Sequence, residues 1–346
     1  MPFTHFICET TGERVDPQDC LACALGGALP GCQMTPAILA GILRHQRPAD
    51  FAMTQAQAAL DGKPVTLDKA LTVTELLGCP RKTRLMKTVD WADRPARLYW
   101  AYRGTLFHDE AEKYAAAEPL AFAEGRLHWV FKFQGQVVSL SGQPDLMIYR
   151  AGAWHLLDYK TIREVPRRTW RHTCRATGQV IYDSLFRANG KGVNCPHCGV
   201  KHTSDLVEIS EMPPQPRGSH IEQLQLYTLL IEKNGPQLLT ALNDVLASIG
   251  GAPLQQPPAV NTAELHYLDM SGGLRIPVEV WPLEQRMTLL KDRLALHLLE
   301  DPEPICDPQD AWQCDYCPVR AACELQQGGP VGRAALMAPQ PEAEAA

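Results

Sequence analysis

Apolar positions along the chain follow two periods. Residues 127–133 and 137–140 have strand composition and are joined by Gln134-Gly135. Residues 146–149 and 154–157 repeat the arrangement around Arg150-Ala151-Gly152-Ala153, so two successive β-hairpins are expected. Residues 264–270 and 274–281, around Ser271-Gly272-Gly273, give another hairpin. Helical spacing runs through Leu98, Tyr102 and Leu106 in residues 95–117, and through Leu224, Tyr227, Leu230 and Ile231 in residues 220–232. Shorter helices are expected at 36–45 and 54–60, and a final core helix at 282–299. One more starts at Thr72, where Glu75 completes a capping box, and its end delivers Cys79.

The chain has 346 residues, 45% hydrophobic and 21% charged, enough for one large core or two modest domains. No apolar run reaches the ~18 residues of a membrane span. The first residues have neither the basic start nor the apolar core of a secretory signal, which points to the cytoplasm and to no membrane partner. A net charge of −6 argues against nucleic acid coating the whole surface, so any such contact needs a local basic patch. Twelve cysteines, six of them in the C-x2-C pairs Cys20/Cys23, Cys195/Cys198 and Cys314/Cys317, suit metal better than disulfides in a cytosolic chain.

The central hairpin carries an acid at each end of its apolar part. Asp145 precedes the first run, Asp158 follows the second, and the turn brings them together. In a strand, Asp158 and Lys160 share a face and Tyr159 points away. Two carboxylates can hold a divalent ion through hard oxygens, and a lysine can orient water or neutralise charge building on a phosphate. A plain surface Asp-Lys pair is the alternative for these residues taken alone.

Gly142-Gln143-Pro144-Asp145 before Asp158-Tyr159-Lys160 resembles the PD-(D/E)XK nuclease signature. Gln223 and Tyr227 resemble the Q-x-x-x-Y element of its RecB-like branch, and Gly104 with His108 the G-x-x-x-H helix. Cys79, Cys314, Cys317 and Cys323 resemble the split cluster of the iron-sulfur members, which include CRISPR-associated RecB-like exonucleases and the AddB nuclease domain. The resemblance spans about residues 71–325. It implies an α/β restriction-endonuclease-like core, a mixed sheet flanked by helices, with an iron-sulfur-stapled helical part. It also implies Mg2+ or Mn2+ on His108, Asp145 and Asp158, Lys160 at the attacking water, and Gln223 and Tyr227 near the metal. A 4Fe-4S cluster on Cys79, Cys314, Cys317 and Cys323 would close a loop of 314 − 79 = 235 residues, worth about 5 kcal/mol of closure entropy. Cys306 is a rival ligand, and spacing alone does not separate iron from zinc. The implied activity is a metal-dependent DNA exonuclease acting on single-stranded ends, in DNA repair or CRISPR spacer acquisition, with a protein partner conceivable. The alternative is a non-catalytic DNA-binding or scaffold subunit of a helicase-nuclease or integration complex. The second acid is aspartate where glutamate is commoner, which bears on metal preference.

Cysteine-rich additions flank this core. Residues 1–34 show little helical or strand period, and Cys8, Cys20, Cys23 and Cys32 suggest a zinc-stapled segment with His5 as a spare ligand. Residues 35–70 read as a helical connector. The insertion at 163–219 is arginine-rich, with Arg163, Arg167, Arg168, Arg171 and Arg175. Its Cys195-Pro-His-Cys198-Gly199 resembles one zinc-ribbon knuckle, for which Cys174 with His202 or His172 would be the second pair, against the alternative of a flexible basic loop. Arg81, Lys82, Arg84, Lys87, Arg94, Arg97 and Arg103, interleaved with Trp91, Tyr99, Trp100 and Tyr102, are the expected single-strand-binding surface. Residues 326–346 read as a disordered tail.

Overall fold

Two hairpin turns set the centre of the fold. Gln134 and Gly135 have φ of 48° and 77°, and Ala151 and Gly152 have 50° and 81°. Paired positive φ values are what a two-residue turn matching the strand twist requires. The computed structural model describes residues 3–27, 29–45, 59–60, 63–66, 69–123, 125–185, 194–201, 206–269, 271–304, 311–328 and 330.

In chain order, β1 (Phe3–Ile7), β2 (Arg14–Val15), α1 (Pro17–Leu25) and α2 (Pro36–His45) come first, followed by β3 (Ala59–Leu60), β4 (Lys63–Pro64) and β5 (Ala70–Thr72). Next are α3 (Val73–Leu77), α4 (Pro80–Thr88), β6 (Trp91–Asp93) and the long α5 (Pro95–Ala116). The strands β7 (Ala121–Ala123), β8 (Leu127–Phe133), β9 (Gln136–Gly142), β10 (Leu146–Arg150) and β11 (Ala153–Thr161) follow. The insertion contributes β12 (Thr169–Cys174), β13 (Val180–Ser184) and β14 (Val207–Met212). Then come α6 (Gly218–Lys233), α7 (Gly235–Ser248), β15 (Val260–Leu268), β16 (Gly273–Val278), α8 (Leu283–His297), a 3-10 turn at Ala311–Tyr316 and α9 (Arg320–Gln327).

The architecture is mixed α/β, with mixed sheets flanked by helices. Strand β11 is the middle of a five-stranded sheet of order β16-β15-β11-β10-β7, antiparallel except for the β11–β15 pair. Trp154, Leu156 and Asp158 alternate along its buried face, where the apolar pair joins Leu224, Tyr227, Leu230 and Ile231 of α6 in the main core. Helix α6 also has a polar link to α8, Arg286 donating to Thr228 Oγ1 at 3.0 Å and pairing with Glu232 at 2.8 Å.

Several expectations are corrected. The two successive hairpins lie in different sheets. The β8–β9 hairpin joins β5 in its own sheet of order β5-β9-β8, while β10 and β11 recruit β7 and β15. The linker Gln143-Pro144-Asp145 separates them, and Pro144 has no N–H to carry a ladder across. Residues 1–34 hold two strands and a helix. Strand β1 pairs in parallel with β6, and Phe3 and Phe6 share a cluster with Leu39, Ile42 and Leu98. Of the helix expected at 54–60, residues 59–60 form β3 and the rest lies outside the described residues. The insertion is a three-stranded antiparallel sheet, β13-β12-β14, where a flexible basic loop was the alternative. Helix α7 was not foreseen. Among the described residues, no helix is long and apolar enough to cross a membrane.

Candidate functional site

The β10–β11 register runs from Arg150↔Ala153 to Leu146↔Leu157. One step further places Asp145 opposite Asp158. Asp145 Oδ2 accepts the Tyr159 N–H at 2.6 Å, which locks it beside β11. His108, on α5, brings Nδ1 to 3.1 Å from Asp145 Oδ1. Phe107, its neighbour on α5, packs edge-on against Tyr159 with ring centroids 5.1 Å apart, so α5 is held on the face of β11 that Tyr159 takes.

Asp158 ends the buried apolar row of β11 and is itself fully buried. Lys160 Nζ lies 2.6 Å from its Oδ2, and among the described residues no donor reaches Oδ1. Burial pushes the Asp158 carboxyl well above the usual carboxylate range; the Lys160 charge opposes that rise and the Asp145 charge adds to it. An oxygen taken out of water with no partner is costly, and a hard cation would satisfy it.

Helix α6 brings Gln223 and Tyr227 over the same point. Gln223 Nε2 donates to the Tyr227 hydroxyl at 2.8 Å. Burial first, and then the charges of Asp158 and Asp145, raise the Tyr227 hydroxyl far above its ordinary value. The close approach depends on Gly142: a Cβ there would lie 2.7 Å from Leu230 Cδ1 and 2.9 Å from Tyr227 Cε1. The sequence did not single out His220, one helical turn before Gln223. The Tyr267 hydroxyl accepts the Arg217 N–H at 3.0 Å and meets His220 Nδ1 at 2.9 Å. Burial, then the positive charges of Lys160 and Arg217, hold His220 down at about 3, so the ring is neutral beside the lysine. The spacing H-x-x-Q-x-x-x-Y on one helix face was the available signal.

The cysteines gather in separate groups. Cys79 caps α4, its Sγ accepting the Lys82 N–H at 3.5 Å, and Cys314 and Cys323 pack with Leu85 of that helix. Burial, and then Cys79, Cys317 and Cys323, push the Cys314 thiol up to about 11, but no three of these four cysteines bring their sulfurs within 4.8 Å of one another. Cys306 and His202 lie outside the described residues. Cys8, Cys20, Cys23 and Cys32 line one cavity of about 240 Å³, which His5 does not line. Burial, then Cys32, Cys8 and Cys23, raise the Cys20 thiol to about 11. In the insertion, the sulfurs of Cys174, Cys195 and Cys198 lie within 4.8 Å of one another and could hold a metal ion. His172 is not part of that group; its ring stacks on Tyr182 at 4.2 Å.

The expected single-strand-binding surface is largely committed to structure. Arg81 is buried and bonds Asp301 at 2.8 Å, the Pro302 carbonyl at 3.0 Å and Gln326 at 3.0 Å. Arg84 donates to the Glu300 carbonyl, and Lys87 donates to the Ala70 carbonyl at 2.7 Å. Arg94 pairs with Glu9 at 3.4 Å and Arg97 with Asp93 at 3.0 Å. Trp91 and Tyr102 pack on the N-terminal apolar cluster.

Compared with known protein families and with curated proteins, the sequence matches none. Among solved structures, the crystal structure of SSO0001 is similar over 83% of this chain and 94% of its own, at 15% sequence identity and a TM-score of 0.44. So distant a likeness identifies neither a fold family nor an activity.

Proposed function

We propose that this chain is a metal-dependent DNA exonuclease of the RecB-like PD-(D/E)XK type, with a restriction-endonuclease-like core built on the β10–β11 hairpin and a structural 4Fe-4S cluster. The observation that carries the reading is the convergence of His108, Asp145, Asp158 and Lys160 from one helix and one hairpin, with the buried Asp158 Oδ1 lacking a donor. Donors around an octahedral ion with bonds near 2.1 Å are roughly 3 Å apart, in keeping with the 3.1 Å between His108 and Asp145. His108 and Asp145 are therefore spaced as two ligands of Mg2+ or Mn2+; Asp158 would have to close up on them to complete the set, because the three do not all bring a ligand atom within 4.8 Å of one another.

When bound, such an ion would polarise the scissile phosphodiester and stabilise the charge that develops on it. The chain's own groups do the rest. Lys160 positions the attacking water, and its ion pair with Asp158 keeps the ammonium at the mouth of the site. Asp145, clamped by the Tyr159 N–H, keeps one oxygen toward His108. Gln223 and Tyr227 form a neutral polar edge that holds the substrate backbone. Cys79, Cys314, Cys317 and Cys323 would carry the cluster.

The test is digestion of single-stranded DNA labelled at either end, by anaerobically purified protein with Mn2+ or Mg2+, against Lys160→Ala. Metal-dependent cleavage that disappears in the variant supports the proposal, and the product ladder gives the polarity. Wild type and variant equally inert, with DNA still bound, would favour a scaffold subunit.

A further inference from the structure

Two turns of the insertion are built alike. In the second, Thr-free turn, the Cys195 N–H donates to the Val200 carbonyl at 3.0 Å and the Gly199 N–H to the Cys195 carbonyl at 2.9 Å. Gly199 has φ of 71°, and the flanking Asn194 and Lys201 pair as an antiparallel bridge. In the first, the Cys174 N–H donates to the Gln179 carbonyl at 2.9 Å and the Gly178 N–H to the Cys174 carbonyl at 2.8 Å. Gly178 has φ of 69°, and Thr173 pairs with Val180. Cys174 therefore corresponds to Cys195, Gly178 to Gly199, and Thr177 to Cys198. Neither His172 nor a histidine further along is needed to supply a second knuckle. It is the Cys174-Arg175-Ala176-Thr177-Gly178 turn itself, with a hydroxyl in place of its second thiol.

Around tetrahedral zinc, with Zn–S near 2.3 Å, sulfurs sit about 3.8 Å apart. Cys174 and Cys198 are 3.9 Å apart, and all three sulfurs lie within 4.8 Å. The Thr177 side chain hydrogen-bonds the Cys174 sulfur, and by the correspondence of the two turns it stands where a fourth thiolate would be expected. A neutral hydroxyl is a far weaker zinc ligand than a thiolate, because it keeps its proton at neutral pH. Closed structural sites have four strong protein ligands, whereas a site with three leaves a position open to solvent species.

We propose that the insertion is a two-knuckle zinc ribbon that binds one zinc ion through Cys174, Cys195 and Cys198, and that its fourth position, at Thr177, is open to exchangeable water or an external thiolate. This does not depend on the nuclease reading. The ion would join β12 to the loop that leads into β14 while remaining exchangeable.

The experiment uses the full chain. Zinc content is compared between wild type and Cys195→Ser, and zinc release to a chromogenic chelator is timed in wild type, Thr177→Cys, Thr177→Val and His202→Ala. One zinc per chain should be lost in Cys195→Ser. Thr177→Cys should complete a four-thiolate site and slow release by about tenfold or more, whereas Thr177→Val should keep the ion with fast release. In cobalt-substituted protein, thiolate charge-transfer absorption assigned by difference against Cys195→Ser should rise by about a third in Thr177→Cys. Unchanged release in Thr177→Cys overturns the proposal, and so does loss of zinc in His202→Ala, which would make His202 the fourth ligand. Because Thr177→Cys adds a donor rather than removing one, a failure of Cys195→Ser to fold leaves the test intact.

Discussion

Asp145 joins two elements through its two oxygens: His108 Nδ1 is 3.1 Å from Oδ1, and the Tyr159 N–H donates to Oδ2 at 2.6 Å. One carboxylate thus serves the proposed metal and the backbone of β11. Asp145→Asn keeps an oxygen for Tyr159 and should fold normally, with Mn2+ affinity down by about 10–100-fold. Asp145→Ala should lose the same affinity and a further 1–3 kcal/mol or so of stability from the unpaired N–H. Calorimetric titration and urea unfolding separate the two effects. Equal stability of both variants would show that the Tyr159 bond is dispensable.

Gly142 lets the end of β9 pass under Tyr227 and Leu230. Gly142→Ala should cost about 1–3 kcal/mol by overpacking, and displacement of Tyr227 should weaken the proposed DNA binding as well. Thermal unfolding together with a DNA-binding isotherm checks this. A variant as stable as wild type would mean that α6 yields freely.

Two half-buried histidines predict acid sensitivity. His220 is held at about 3 and His297 at about 4, in each case chiefly by burial, against an ordinary value of 6.5. Below pH 6.5 the unfolded chain takes up protons that the folded chain refuses. The stability present above that pH therefore falls as pH drops toward 4 and then 3. The His297 ring also donates from Nε2 to the Leu76 carbonyl at 3.1 Å, a bond that glutamine can imitate. His297→Gln should flatten the stability profile between pH 6 and 4.5 by roughly 1 kcal/mol per pH unit, below the one-proton limit of about 1.4. Urea midpoints across that range give the slope, and an unchanged slope would rule out His297 as a contributor.

Cys323→Ser should strip the proposed cluster's iron from anaerobically prepared protein and lower its melting temperature, because it would open the link between α4 and α9. It should leave Mn2+ binding at His108, Asp145 and Asp158 intact in whatever fraction stays folded. Iron analysis, visible absorption and calorimetry together test this; zinc in place of iron in the wild type would contradict the cluster assignment.

Local rules made much of the fold legible. The capping box at Thr72 and Glu75 forms, with reciprocal bonds of 3.0 and 2.8 Å. The turns at Gly135 and Gly152 were readable because two-residue hairpins demand positive φ. Strand partnership was not readable, because β8, β9, β10 and β11 carry compatible patterns and tertiary packing selects the pairs. In the site, i, i+2 and i, i+4 spacings exposed Asp158, Lys160, Gln223 and Tyr227. His220 escaped because its role depends on Tyr267, which lies in a distant strand. In the basic stretch, charge alone did not reveal that several of its donors bond carbonyls and carboxylates of the same chain. Thr177 escaped because a knuckle missing one thiol matches no cysteine spacing.

The parallel pairing of β11 with β15 governs when the acids become a site. Asp145 and Asp158 can meet as soon as the hairpin leaves the ribosome, but β11 stays an edge strand until Leu268 pairs with Thr161. That is 268 − 161 = 107 residues later, roughly 5–20 s of synthesis at ordinary elongation rates. Cys323 follows later still. The nascent chain therefore carries its acidic hairpin for seconds without the strand that completes its sheet, so the proposed activity would switch on only after β15 has been made.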